Sequence, residues 1–212
     1  MKIAIIGAGS VAASLGQRLS ASGFGVTFGI REGREIPDVL ARCGGKAEAK
    51  LVADACADAE VVFLAVPGNV PVDALRGGGD LRGKIVVDCC NPVGWDNGPT
   101  VAPTLEGSIT ATLVREFPGV AIVKGFNTFG AEFHADPQLG DKPVDVYLAS
   151  ADDDAKAKIM DLARQAGFEP VDCGPLRNAA LLEHLAVLWI HLAMVGGLGR
   201  DMAFKILRRT AS

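Results

Sequence analysis

Three histidines and no CxxC pair among five cysteines leave little with which to build a metal centre. Cys43, Cys56, Cys89, Cys90 and Cys173 read as reduced thiols, and a cytoplasmic location is expected. His184 and His191, seven residues apart, share one helix face without a ligand set around them, which makes them core or interface residues. His134, in "AEFHADP", reads as exposed on a loop or helix end. No Ser/His/Asp or Cys/His constellation occurs, so no catalytic side chain is assigned. Excess charge is also lacking. A formal net charge of -4 gives no general attraction to nucleic acid or to an anionic membrane. Long apolar runs are missing too. The nearest, "LAVLWIHLAMVGGLG" (185–199), falls short of the ~20 residues a bilayer needs and reads as a buried or subunit-interface helix. The start, "MKIAIIGAGS", lacks the form of a signal peptide.

What is present is a repeating order of short apolar runs and helical segments. The runs are Lys2–Gly7, Gly25–Ile30, Glu60–Pro67, Lys84–Cys90, Val120–Asn127, Val144–Ser150 and Phe168–Cys173. Most are apolar on both faces, as strands covered by helices on both sides must be. The expected fold is α/β, a Rossmann-type doubly wound and mostly parallel sheet with a C-terminal helical extension. Residues 1–174 form the nucleotide-binding domain in this reading. Residues 175–212 form an entirely helical segment, with Asn178 as N-cap and Gly196, Gly197 and Gly199 separating two helices. Gly94–Ser108, rich in Gly, Pro, Asn and Thr, reads as a long loop and candidate lid.

The first run leads into Gly7-Ala8-Gly9-Ser10-Val11-Ala12, then a helix with Val11, Leu15 and Leu19 on one face. Gly7 permits the tight turn, and Gly9 lets backbone N–H groups approach a pyrophosphate. Ala12 and Gly16 let the helix press on the sheet. With a strand before it and a helix after it, GxGxxA marks a dinucleotide site.

A carboxylate is absent where such a site usually carries one. The second run ends in Gly29-Ile30 and is followed by Arg31, with Arg34 close behind. NADP sites remove the acid and supply guanidinium forks for the 2′-phosphate. Glu32 and Glu35 leave a second reading open, a mixed-charge solvated loop, and Glu32 is near enough to serve as a displaced ribose acceptor. Further strand ends carry Pro67-Gly68-Asn69, Asn91-Pro92 and Lys124 through Thr128, the material of a pocket wall. Lys124 is open between a catalytic and a structural or ribose-contacting role. Hydride transfer between two ring cofactors needs proximity and stacking more than a protein acid.

"IGAGSVAASLGQRL", "FGIR", "VKGFNTFGAE", "DDDAKAKIMDLARQAGFEPVDCGPL" and "LLEHLAVLWIHLA…GGLGRDMAFKIL" together resemble the coenzyme F420-dependent NADP oxidoreductases. The same segments are similar to the NADPH-binding domain of six-transmembrane ferric reductases. The resemblance implies an NADP site on Gly7, Gly9, Ser10, Val11 and Ala12, with Arg31 and Arg34 at the 2′-phosphate. Val66, Pro67, Asn91, Pro92 and Asn127 would flank the cofactor. A deazaflavin would stack near Val93 and Phe126 and against Gly196, Gly197 and Leu198, partly from a neighbouring subunit. It also implies a homodimer joined through the C-terminal helices. Where the deazaflavin reductases carry His-Thr, this chain has Phe126-Asn127-Thr128, closer to the ferric-reductase domain. The second substrate is thus F420, an ordinary flavin (FMN or FAD) or another acceptor. Two alternatives stand beside this: a non-catalytic NADPH-binding redox sensor, and a small dehydrogenase of the pyrroline-carboxylate or ketopantoate reductase type.

Overall fold

Short runs apolar on both faces leave the chain one economical arrangement, a sheet buried on both sides. The computed structural model describes residues 1–209. Its first half runs β1 (Lys2–Ile6), α1 (Ser10–Ala21), β2 (Gly25–Ile30), α2 (Pro37–Arg42), β3 (Ala47–Leu51) and α3 (Val52–Ala57). Then come β4 (Val61–Leu64), α4 (Pro71–Arg76) and β5 (Ile85–Asp88). A hairpin of β6 (Val93–Trp95) and β7 (Pro99–Val101) precedes α5 (Ile109–Glu116), β8 (Ala121–Lys124) and α6 (Ala131–Ala135). A small hairpin, β9 (Gln138–Leu139) and β10 (Lys142–Pro143), leads to β11 (Asp145–Ser150), α7 (Asp153–Gln165) and β12 (Glu169–Asp172). After a 3-10 turn at Leu176–Asn178, α8 (Ala179–Met194) is the last helix among the described residues.

The main sheet has the order β12-β11-β8-β5-β4-β1-β2-β3. From β3 to β8 every neighbour is parallel, in the doubly wound order that places a crevice beside β1. β11 runs antiparallel to β8, and β12 lies parallel to β11 at the edge. Alternate residues supply two separate cores. Ile3, Ile5, Phe28, Phe63 and Val123 meet Leu15, Leu19, Ile159 and Leu162 on one face. Ala4, Ile6, Val62, Leu64 and Ile122 meet Leu75 and Leu113 on the other. Gly16 lets α1 lie against the sheet, since a Cβ there would come within 2.2 Å of Phe28 Cζ.

Each of the expected runs contains a strand, and β3 is one more. Its sequence, "AEAKL", has helical composition, but pairing along all of β2 overrides that propensity. Gly94–Ser108 is not wholly irregular, because its first half is the β6–β7 hairpin. Asn97 (φ 51) and Gly98 supply the turn, a signal legible in the Asn-Gly pair. The C-terminal segment is not entirely helical. Beyond Met194 the chain turns at Gly197 (φ 75) and runs on without regular secondary structure against the fold. It is strapped by Trp189 Nε1 donating to Met202 O (2.8 Å) and Arg200 held by both Glu132 oxygens (2.7 and 3.1 Å). Ile206 N donates to the buried Asp145 carboxylate (2.7 Å). Asn178 makes no side-chain cap for α8; its amide donates to Cys173 O instead. No described helix is long and apolar enough to cross a membrane.

Candidate functional site

Because six strands run the same way, their carboxyl ends share one rim, and a cleft of about 1480 Å³ opens along it. A smaller depression of about 440 Å³ lies at the opposite ends of β1, β2 and β3. There the Lys50 charge is already met by Glu48 (2.8 Å) and Asp58 (3.9 Å), so the larger cleft is the site candidate.

At the centre of the cleft, Gly7, Gly9, Ser10 and Val11 form the floor. Gly7 has φ 125, and a Cβ on it would sit 2.3 Å from Ala65 O, so only glycine fits beside the end of β4. Gly9 is different: a Cβ there would meet nothing within 4 Å, in backbone any residue adopts (φ -82). The space above Gly9 is therefore open cleft. The first intrahelical bond of α1 is Ala13 N to Gly9 O (2.9 Å), and no side chain caps the helix or places an acid in its first turn. The N–H groups of Ser10, Val11 and Ala12 thus lack helical acceptors, and the helix end favours an anion. Ala12 itself is fully buried behind the floor.

Arg31 and Arg34 line one end of the cleft, whereas Glu32 and Glu35 do not. Arg34 N bonds Arg31 O (3.2 Å) across a turn that Gly33 (φ 74) closes, and buried Ile36 anchors the loop to the core. Neither arginine has a carboxylate within ion-pair distance among the described residues, so neither glutamate neutralises them.

Val66, Pro67, Asn91, Pro92 and Val93 line the other end. The turns after β4 and β5 touch there, since a Cβ on Gly68 would lie 2.0 Å from Asn91 O. Ala102 N bonds Pro92 O (2.6 Å) and closes the base of the β6–β7 hairpin, and Ala102, Pro103 and Thr104 complete the wall. Asn91 Nδ2 donates to Asn127 O (2.9 Å), while Asn127 Nδ2 donates to Asn91 Oδ1 (2.9 Å) and Leu182 O (3.1 Å). Asn127 Oδ1 is buried without a donor among the described residues.

Residues 2–92 match the family described as NADP oxidoreductase, coenzyme F420-dependent. A crystal structure of a candidate F420-dependent NADP reductase from Arthrobacter sp. FB24 is 31% identical. The match covers 98% of this chain and 100% of that one, with a TM-score of 0.87. The chain belongs to the coenzyme F420-dependent NADP oxidoreductase family. The F420-dependent NADP reductase of Methanothermobacter marburgensis is 28% identical over 91% of this chain and 92% of its own. Metalloreductase STEAP3 of Rattus norvegicus is 30% identical over 86% of this chain, which spans only 36% of that protein's length.

Within this family fold, several residues expected at a second-substrate pocket do not line this chain's own cleft. The Phe126 ring is in the core, edge-on to Phe63 and Phe168 at 5.4 Å each, because a positive φ of 58 turns its side chain inward. That left-handed turn aims the next residue, Asn127, toward Asn91. Gly196, Gly197 and Leu198 lie exposed beyond α8 and outside the cleft lining. His134 is fully buried, not exposed, and its ring nitrogens face Phe126 O (2.9 Å) and Gly130 O (3.2 Å). Burial depresses its pKa to about 4 despite the two carbonyls, so it is a neutral structural residue at pH 7. His184 and His191 are exposed on this chain rather than in its core.

Sequence reasoning missed the partners of Lys124. This side chain is wholly buried beneath the cleft, with Nζ 3.1 Å from both Asp88 Oδ2 and Glu183 Oε1 and bonded also to Cys90 O. Burial works against the Lys124 charge, but the two carboxylates outweigh it and raise its pKa. Cys89 and Cys90 line the cleft, yet burial raises both thiols far above neutrality, which removes them as thiolate nucleophiles.

Proposed function

We propose that the chain binds NADP(H) and transfers hydride between it and a deazaflavin or flavin acceptor. One observation carries the reading: a single cleft joins two unpaired guanidiniums, an uncapped helix N-terminus and a clamped asparagine–proline turn, in that order. The residues suit the cofactor. The space at Gly9 is what a pyrophosphate needs, and Asn91 lines the cleft at the other end, whereas Asn127, expected to flank the cofactor, lies buried behind it and holds Asn91 in place. When bound, NADPH supplies the hydride from its nicotinamide ring. The chain's part is to hold and orient. Arg31 and Arg34 take the 2′-phosphate, the Ser10 and Val11 amides take the pyrophosphate, and Val66–Pro67 with Asn91–Pro92 confine the ring while excluding water.

The test is NADPH oxidation measured separately with F420, FMN, FAD and ferric chelates. Turnover with F420 alone identifies the acceptor. NADPH binding with no turnover on any of them sinks the hydride-transfer claim and leaves a redox sensor.

We further infer that two copies pair through α8. Leu181, Leu188 and Val195 recur every seven residues and are 64%, 48% and 48% exposed, an apolar stripe with no cover on this chain. In sedimentation measurements Leu188→Glu is expected to yield monomers from a dimeric parent, and a monomeric parent refutes the pairing.

A further inference from the structure

The most unusual group outside the cleft lining is the ionisable trio beneath it: Lys124 and Asp88 are 0% exposed and Glu183 is 1%. Three ionisable groups in one buried place are not explained by stability. Well-packed apolar residues of similar volume commonly do as well or better. What apolar residues lack is the ability to hold a backbone by its polar atoms.

The trio does so at one residue. Asp88 and Lys124 are the last residues of β5 and β8 and pair in register. Asp88 Oδ1 accepts from Cys90 N (2.9 Å), and Lys124 Nζ donates to Cys90 O. Both polar groups of the Cys90 backbone are thereby gripped by side chains. The next residues, Asn91 and Pro92, are cleft wall. Each grip is itself braced. Thr110 Oγ1 donates to Asp88 Oδ2 (2.7 Å), and Glu183 Oε1 accepts from Lys124 Nζ (3.1 Å) and from Ile109 N (3.0 Å). Glu183 lies on α8, and its neighbour Leu182 accepts from Asn127 through its carbonyl. So α8 reaches the Asn91 turn by two routes, one through Lys124 and one through Asn127.

We propose that Asp88, Lys124 and Glu183 are positioning residues that set the nicotinamide end of the cleft, and that α8 is thereby part of the cofactor site. None of the three lines the cleft, so each acts through Cys90 and Asn91. The inference rests on the proposed NADPH reading. It assigns the two ends of the cleft to different supports: the arginine loop and α1 at the adenosine end, the buried trio at the other.

The cofactor can be divided to test this, because adenosine 2′,5′-bisphosphate occupies only the adenosine end. Dissociation constants for it and for NADPH are measured on the full chain and on Glu183→Ala, Glu183→Gln and Thr110→Val, with thermal melts to establish folding. Glu183→Ala should weaken NADPH on the order of tenfold while changing the bisphosphate less than about twofold. Glu183→Gln, which keeps an acceptor for Lys124 and Ile109, should restore the ratio. Thr110→Val should lower it by a few-fold, about the loss of one hydrogen bond, and carries the test if Glu183→Ala does not fold. A purely structural role lowers the melting temperature and leaves the ratio alone. Folded variants with an unchanged ratio overturn the inference, while a parent chain that binds no NADPH overturns the cofactor reading with it.

Discussion

Replacing Arg31 by alanine should change which nucleotide the protein prefers without changing how well it holds the part that both nucleotides share. Arg31 and Arg34 are exposed, line the cleft and have no described carboxylate partner, so binding a phosphate breaks no existing ion pair. Charge-assisted hydrogen bonds contribute about 1.5–3 kcal/mol in general, and solvent exposure sets these at the lower end, about tenfold in Kd for each arginine. The parent should bind NADPH well over tenfold more tightly than NADH, on the order of a hundredfold if both arginines engage. Arg31→Ala should raise the NADPH Kd about tenfold and alter NADH by less than about twofold. Adding Arg34→Ala should leave the two nucleotides nearly equal. Fluorescence titration at low and high salt is the assay, because exposed charges are screened within a Debye length of about 10 Å at 0.1 M. Equal loss for NADH, or a preference indifferent to salt, would refute the assignment of these guanidiniums to the 2′-phosphate.

The two cradle glycines should separate folding from binding. Gly9→Ala meets open space in permitted backbone, so its melting temperature should stay within about 2 °C of the parent while NADPH weakens at least about tenfold. Gly7→Ala faces Ala65 O at 2.3 Å with positive φ, and should cost about 1–3 kcal/mol in a denaturant titration; the reverse ranking contradicts the cradle geometry. His134 should make stability pH-dependent. Its pKa falls from 6.5 unfolded to about 4 folded, so between those values the unfolded chain binds more protons and stability drops as pH falls. The contribution, roughly 3 kcal/mol at neutral pH, should be lost progressively from about pH 6.5 down to about pH 4. A His134→Gln chain that keeps the same acid slope in denaturant melts would place its origin elsewhere.

Most of the sheet was readable because its cause is local. A run such as "KIAIIG" or "EVVFLAVP" is apolar on both faces wherever it sits, and the glycine at position 7 carries its backbone freedom with it. The Arg31 loop was readable in composition, but whether Glu32 and Glu35 cancel it depended on which side chains face the cleft. That is a matter of three-dimensional direction. β3 stayed hidden because "AEAKL" becomes a strand only through β2, and His134 because nothing in "AEFHADP" tells that it lies under Phe126 and Gly130. Phe126 shows the same limit within one residue, its ring sent into the core by a left-handed turn that no neighbouring residue type announces.

The sequence by itself determined the strand–glycine–helix unit, the missing acid after β2 and the family resemblance, since each is written in contiguous residues. Only the tertiary structure decided that Lys124 is buried between Asp88 and Glu183, residues 36 and 59 positions away in the chain. The reason is physical: a buried charge is tolerable only where the fold delivers its partners, and that delivery is a property of the packed chain, not of any segment.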